Sequence, residues 1–179
     1  VRQNVASSYR LGIEGSFTWK LSKHLTWQAN ATLSQNKIDN FVEYITDYDT
    51  YEEKSISHGK TDIAYSPSVI TGSTLTWKLG KLETAFLTKY VGKQYLDNTS
   101  DEGRIIKSYV TQDIRFAYPV KTKWAKRLDF TLLLNNVANT MYSSNGYTYS
   151  YIYNGKTITE NFYYPQAGFN FLLGTSLRF

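Results

Sequence analysis

The chain has 179 residues, 41% of them hydrophobic and 16% aromatic, with a formal net charge of +5 and no cysteine. This length fits one domain, and the lack of cysteine excludes disulfides and thiolate metal sites. No run approaches the roughly 18 apolar residues of a transmembrane helix, and the basic residues stand singly along the chain or gather in turns, which argues against nucleic-acid binding.

Alternation of apolar and polar residues predicts a first pair of long antiparallel strands. Residues 9–21 and 25–34 each carry one apolar row, and the turn Ser22-Lys23-His24 joins them. A helix could not sort such a pattern onto two sides. Arg10 and Glu14 lie in the polar row, and a charge facing mid-bilayer lipid costs roughly 2 to 4 kcal/mol. If the strands cross a membrane, this row must therefore face a lumen.

The middle of the chain predicts a long loop and two more strands. Residues 38–64 are polar, with many acidic residues and tyrosines that include Tyr48 and Tyr51, and are expected to form the loop. A third strand follows Pro67 and ends near Trp77, because proline is tolerated where a strand begins. After a turn at 79–81, a fourth strand runs from Leu82 to about Tyr95.

The second half repeats this organisation. A polar loop at 97–103 precedes a fifth strand at 106–118, and a basic turn at 119–127 leads to a sixth at 128–135. The last long loop, 143–163, contains Asn154-Gly155, the dipeptide that most strongly predicts a hairpin turn. A hairpin is therefore expected there. Four alternating tyrosines on this hairpin, together with Tyr48 and Tyr51 of the first loop, are candidate ligand contacts: Tyr147, Tyr149, Tyr151 and Tyr153. Packing of the loop onto its neighbours is the alternative role for these rings.

The final strand is expected to run from Tyr164 to Phe179, longer than the roughly nine to eleven residues that a tilted strand needs to cross a bilayer. Its apolar row resembles the carboxy-terminal signal by which bacterial outer-membrane barrels are recognised for assembly. The residues of this expected assembly signal are Phe169, Phe171, Leu173, Leu177 and Phe179.

Two regularities extend across these seven strands. Short turns alternate with long loops, and all four tryptophans lie at the short-turn end, where an amphipathic ring fits a membrane interface. The sequence thus predicts an all-β fold, an antiparallel up-and-down transmembrane β-barrel present as an open seven-strand segment. A soluble carbohydrate-binding β-sandwich with a tyrosine platform is the alternative fold.

Several motifs, in this order, resemble the carboxy-terminal barrel strands of TonB-dependent outer-membrane transporters of the Bacteroidota type. They are Ile63–Pro67, Lys89–Thr99, Leu134–Asn139 with Tyr142, and Tyr163–Gly168 with the terminal Phe179. The resemblance implies a barrel of 22 strands, of which residues 1–179 would be the last part. The start at Val1, with no initiator methionine or signal peptide, agrees with a fragment that lacks the plug domain and the coupling segment.

The resemblance implies a bacterial outer-membrane importer for a scarce, large nutrient such as a siderophore, cobalamin, haem or a glycan. Expected partners are outer-membrane lipid, TonB through the missing amino-terminal part, the barrel-assembly machinery and the small-molecule or glycan substrate, with no nucleic acid. An outer-membrane channel or adhesion barrel without TonB coupling is the alternative function.

Nothing in the sequence predicts an enzyme, a cofactor or a metal site. His24 lies in a turn and His58 in the first loop, without a second ligand at metal spacing. Asp47, Asp49, Glu52 and Glu53 lack the spacing of a calcium-binding EF-hand, so a solvated loop is expected.

Overall fold

The structure, a computed structural model, describes residue 5 and residues 7–179. Among these residues, none lies in a helix long and apolar enough to span a bilayer. The described part folds into twelve strands: β1 (Ser7–Lys20), β2 (Leu25–Asp47), β3 (Glu52–Asp62), β4 (Val69–Leu79), β5 (Leu82–Val91), β6 (Gln94–Tyr95), β7 (Ile105–Ile106), β8 (Tyr109–Val120), β9 (Arg127–Asn135), β10 (Ser143–Tyr153), β11 (Lys156–Pro165) and β12 (Asn170–Arg178).

Seven of these strands form one antiparallel wall, in the order β1-β2-β4-β5-β8-β9-β12. Neighbours in this order follow each other along the chain or are separated by one long connection. The wall is a single curled, open sheet and not two packed sheets. The predicted seven-strand barrel segment is confirmed, and the β-sandwich alternative is wrong.

The register places the apolar rows of all seven strands on one face, because residues directly opposite each other in a sheet point to the same side. Arg10, Glu14, Asp113 and Arg115 fall in the alternate rows and lie on the other face. The predicted separation of charge from the apolar face is therefore confirmed. One unbroken line of directly paired residues crosses the apolar face: Trp19, Trp27, Leu75, Phe86, Ile114, Leu134 and Phe171.

The segment 38–64 is not the loop that the sequence predicted. β2 continues to Asp47 and pairs with β3, so most of the segment is a hairpin standing above the wall. The hairpin is stabilised by three buried apolar side chains, those of Ile38, Phe41 and Ile45. The register shifts between Ile38 and Phe41, where Asn40 has a φ of 54°. This irregularity breaks the alternation from which a strand would have been predicted.

Three predicted strand ends also need correction. The last strand begins at Asn170 and not at Tyr164, because Asn170 pairs with Asn135, the last residue of the partner strand β9. Tyr164 belongs instead to β11 and pairs with Asn145 of β10. The fourth strand ends at Val91, and the fifth begins at Tyr109. Between them, β6 and β7 pair with each other and form a separate small sheet.

Most buried apolar side chains lie above the wall and not on it. Ile38, Phe41, Ile45, Leu96 and Ile106 are buried in the long connections. On the apolar face of the wall, by contrast, Leu11 is 68% exposed, Ile13 77% and Leu173 73%. Within the described part of the chain, this face has no protein layer packed over it.

Candidate functional site

The three long connections pack together into one unit, called here the cap: residues 38–62, 92–108 and 143–165. The end of β2 and the end of β10 lie side by side, with Thr46 opposite Tyr151 and Asp47 opposite Ile152 in a short parallel pairing. The backbone N–H of Tyr48 donates to the carbonyl of Ile152 at 2.9 Å. The first and last long connections are thus joined directly.

Asp49 fixes the tip of the last hairpin. Its carboxylate accepts hydrogen bonds from the backbone N–H groups of Asn154, at 2.8 Å, and Gly155, at 2.7 Å. Asn154 has a φ of 50° and Gly155 a φ of 67°, the left-handed pair that a type I′ hairpin turn requires. The predicted Asn-Gly hairpin is confirmed.

Arg104 lies at the centre of the cap with its side chain only 6% exposed. Its Nη1 is 2.5 Å from Oε1 of Glu43 and 2.8 Å from Oδ2 of Asp97, and its Nε is 3.4 Å from Oδ2 of Asp101. Burial lowers the pKa of Arg104, but hydrogen bonds to Asp97 and Glu43 outweigh it and leave this pKa above its ordinary value. The guanidinium is therefore a permanent cation that joins the first two long connections.

His58 extends this cluster and corrects a prediction. It lies on β3 and not in a loop, and its Nε2 is 2.8 Å from Oε2 of Glu43, with the side chain 23% exposed. Its ring also lies beside Phe41, with the ring centroids 6.1 Å apart. The histidine side chain is thus partly buried and is held by Glu43.

A cavity of about 770 Å³ lies within the cap and is lined by all three long connections. Of the six predicted ligand-contact tyrosines, Tyr51 and Tyr153 do not line it, and Tyr51 is 85% exposed. The other four line the cavity: Tyr48, Tyr147, Tyr149 and Tyr151.

The sequence did not single out Tyr44, Tyr65, Glu43, Asp97 or Arg104, which also line the cavity. Tyr65 is part of the Ile63–Pro67 motif, and its hydroxyl donates to the carbonyl of Gly146 at 2.7 Å. Asp97 lies in the Lys89–Thr99 motif, so the resemblance gave a signal for these two residues but none for Tyr44, Glu43 or Arg104.

The cavity tyrosines contact one another as well as the cavity. Tyr147 stacks on Phe162 with centroids 4.9 Å apart, Tyr149 stacks on Tyr151 at 5.9 Å, and Tyr48 meets Tyr151 edge-on at 5.7 Å. These contacts hold the rings in a fixed row while leaving Tyr147 and Tyr149 nearly half exposed. Such a row offers broad amphipathic contact with little rotational freedom left to lose.

Tyr149 has the largest pKa shift. Its hydroxyl donates a hydrogen bond to the carboxylate of Glu160, which, with partial desolvation, raises the pKa of Tyr149 to about 12. The phenol is therefore neutral at physiological pH. It is held in place by an acceptor from the neighbouring strand β11.

Of the four acidic residues expected in a solvated loop, Asp49 lies in the turn of the first hairpin, whereas Asp47, Glu52 and Glu53 lie on strands, and all but Asp47 are exposed. Asp47 is buried and pairs with Nζ of Lys54 at 2.5 Å, a hydrogen bond that lowers the pKa of Asp47. Within the described ranges, no three His, Asp or Glu side chains are arranged to hold a metal ion.

The residues of the expected assembly signal lie at the end of the wall. Phe171, Leu173 and Leu177 are on the apolar face, where they pair with Leu134, Leu132 and Leu128 of β9. Phe169 precedes β12, and Phe179 follows it. Both are exposed, so they extend the apolar surface beyond the strand, and their role in assembly stays a prediction.

No protein-family model and no curated protein matches the chain. Solved structures do match. The siderophore receptor PiuA from Acinetobacter baumannii aligns with a TM-score of 0.68 at 17% identity, covering 94% of this chain and 21% of that one. The chain has the fold of a barrel portion of a TonB-dependent receptor.

Two further structures share this barrel fold. The ferric yersiniabactin uptake receptor FyuA from Yersinia pestis aligns with a TM-score of 0.62 at 16% identity, covering 94% of this chain and 23% of that one. The ferric-catecholate import receptor Fiu from Escherichia coli K12 aligns at 0.52 and 17% identity, covering 99% of this chain and 29% of that one. The chain spans about a quarter of the length of these receptors.

Proposed function

We propose that the chain forms part of the wall and the extracellular cap of a bacterial outer-membrane importer. This importer would bind a scarce, large nutrient, such as a siderophore, cobalamin, haem or a glycan, and pass it to the periplasm. The fold shared with three receptors, two of them named for uptake or import, supports this role and supports a non-enzymatic protein.

The wall has the properties of a membrane barrel. Its strands are 9 to 14 residues long apart from β2, which continues into the cap, and about nine to eleven residues suffice to cross a bilayer. The exposed apolar face is what lipid would cover, and the opposite polar face suits a lumen. Trp19, Trp27 and Trp77 lie next to the short turns, as the sequence predicted, and Trp124 lies within one.

The observation that carries the import proposal is the tyrosine-lined cavity in the cap. Long loops of outer-membrane barrels face outward and short turns face the periplasm. The cavity therefore lies on the side from which a nutrient arrives. Its volume of about 770 Å³ is within the range of sites that enclose a small molecule.

Coupling to TonB is the second part of the proposal. It would act through parts of the receptor outside this chain, since the chain corresponds to about a quarter of the receptors that it matches. The barrel-assembly machinery would recognise the apolar row that ends at Phe179. A channel or adhesion barrel would share the wall but would not need energy from TonB.

A triple substitution of the cavity tyrosines tests ligand capture in the full-length receptor. Tyr147→Ser, Tyr149→Ser and Tyr151→Ser together should weaken binding by more than tenfold for whichever of four probes binds the parent: a ferric siderophore, cyanocobalamin, haemin or an oligosaccharide mixture. The matched control is Tyr51→Ser with Tyr153→Ser, which removes tyrosines outside the cavity.

Calorimetric dissociation constants measured on folded protein decide between capture and packing. An unchanged constant in the triple variant would leave packing as the only role of these rings. Uptake of the same probe in cells with and without TonB then tests the coupling. Uptake that does not depend on TonB would favour a channel.

A further inference from the structure

The two ends of the wall carry opposite charge. The cap contains eleven Asp and Glu residues against six Lys and Arg. At the short-turn end, only Glu83 and Asp129 oppose nine basic side chains, which define the basic rim: Lys20, Lys23, Lys78, Lys81, Lys121, Lys123, Lys126, Arg127 and Arg178.

Both carboxylates of this end are already occupied. Glu83 pairs with Nη2 of Arg115 at 2.9 Å and with Nζ of Lys78 at 3.3 Å, and Asp129 pairs with Nε of Arg127 at 2.6 Å. The remaining seven cations of the basic rim are exposed and have no ion pair within the described part of the chain. The positive charge of this rim is therefore available to a partner.

Three tryptophans of the same end also lack polar partners. Trp27 donates its Nε1–H to Oγ of Ser73 at 2.9 Å. The indole N–H groups of the other three have no hydrogen bond to the described residues, and their side chains are more than half exposed: Trp19, Trp77 and Trp124. An indole that is apolar over its ring and still needs an acceptor suits the boundary between acyl chains and headgroups.

The turn between β8 and β9 carries both kinds of side chain, exposed lysines and an exposed tryptophan. Oγ1 of Thr122 donates to the carbonyl of Ala125 at 2.9 Å and accepts from its N–H at 3.1 Å, which orders the turn. Lys121, Lys123 and Lys126 flank the exposed Trp124 in the sequence, and all three are exposed. An ordered turn loses little freedom when it binds.

We propose that the basic rim binds the phosphate headgroups of anionic phospholipids in the membrane leaflet that meets the short turns. The lysine ammonium groups would donate to phosphate oxygens, while the tryptophans insert at the level of the ester carbonyls. This inference rests on the membrane placement proposed above, but not on import or on the identity of the nutrient. If the receptor binds no nutrient, the inference about lipid binding is therefore unaffected.

The test uses full-length receptor, delipidated in neutral detergent, with short-chain phosphatidylglycerol and phosphatidylcholine as probes. The receptor should bind phosphatidylglycerol more tightly, and added salt should weaken this binding. Lys121→Gln with Lys123→Gln should lower the affinity roughly tenfold or more, given the contribution of each lysine near an anionic surface. Native mass spectrometry measures the bound lipid.

The matched control is Lys107→Gln with Lys156→Gln, which removes the same charge from exposed cap lysines. This control should bind phosphatidylglycerol like the parent. Equal binding of the two lipids, or an equal loss in both double variants, would overturn the proposal. Competition by inorganic phosphate at equal concentration would also overturn it, since the site would then take free phosphate.

Discussion

Nη1 of Arg104 lies 2.5 Å from Oε1 of Glu43, and this contact joins residues 61 positions apart in the chain. The same guanidinium nitrogen also reaches Asp97. Nη2 of Arg104 is 3.5 Å from the hydroxyl oxygen of Thr159 on the last hairpin. A single buried cation therefore contacts all three long connections of the cap.

Replacing Arg104 by Gln should loosen the cap while leaving the wall folded. Removing one partner of a buried ion pair costs about 3 to 5 kcal/mol, because the remaining charge stays buried without compensation. Amide hydrogen exchange should rise in residues 38–62 and 92–108 and stay unchanged in β8 and β9. The control Lys93→Gln breaks an exposed pair with Glu102, and such pairs contribute about 0 to 1 kcal/mol. Equal exchange in both variants would contradict a central role for Arg104.

Substituting Asp49 by Ala should release the tip of the last hairpin. The change removes the only carboxylate that accepts from Asn154 and Gly155 among the described residues. Hydrogen bonds to a charged acceptor contribute about 1.5 to 3 kcal/mol, so the two amides should exchange faster by at least tenfold. Asp49→Asn keeps one acceptor oxygen and should give an intermediate rate. Parent-like protection in Asp49→Ala would show that Tyr48 and Ile152 hold the hairpin alone.

Tyr149 should titrate well above the ordinary pKa of a tyrosine as pH rises. Its hydrogen bond to Glu160 stabilises the neutral phenol and raises the pKa of Tyr149 to about 12. A raised pKa means that this contribution to folding is complete below the ordinary value near 10 and is lost as pH rises towards 12. Site-resolved NMR of tyrosines labelled at the ring carbon that bears the hydroxyl measures the titration. Glu160→Gln should move the midpoint of Tyr149 downward, and an unmoved midpoint would contradict this cause.

A charge placed on the apolar face should hinder folding into membranes. Leu132→Arg lies on that face, opposite Phe116 and Leu173, and should cost roughly 2 to 4 kcal/mol if the site is near mid-bilayer. Thr131→Arg, one residue away, lies on the polar face opposite Gly174 and should cost far less. Heat-modifiable migration of the full-length receptor measures the folded fraction. Similar losses in both variants would contradict the assignment of one face to lipid and the other to a lumen.

Alternation and turn chemistry made the wall predictable, since both are local properties. The row from Tyr9 to Phe17 and the Asn154-Gly155 turn each needed only a few neighbouring residues to be recognised. Tyr164 was assigned to the wrong strand because its alternation continues across the end of β11. Where a ladder ends depends on the partner strand, which local sequence does not contain.

The cap was much less predictable, because its order comes from contacts between distant segments. Arg104 is a single basic residue in a polar stretch, and only the fold brings Glu43 and Asp97 to it. Tyr51 and Tyr153 matched the tyrosine pattern but lie outside the cavity, since alternation gives the face of a strand and not what lies beside it. The buried Ile38 and Ile45 were hidden among acidic residues and tyrosines.

Spin-label accessibility along β9 tests the two-faced membrane wall most directly. The chain has no cysteine, so single cysteines can be introduced at each position from 128 to 134 of the full-length receptor in a bilayer, provided that any cysteine elsewhere is removed. Labels at Leu128, Phe130, Leu132 and Leu134 should collide mainly with oxygen, which concentrates in lipid. Those at Asp129, Thr131 and Leu133 should collide mainly with a water-soluble nickel chelate. The absence of a two-residue period, or the reverse assignment, would contradict the account.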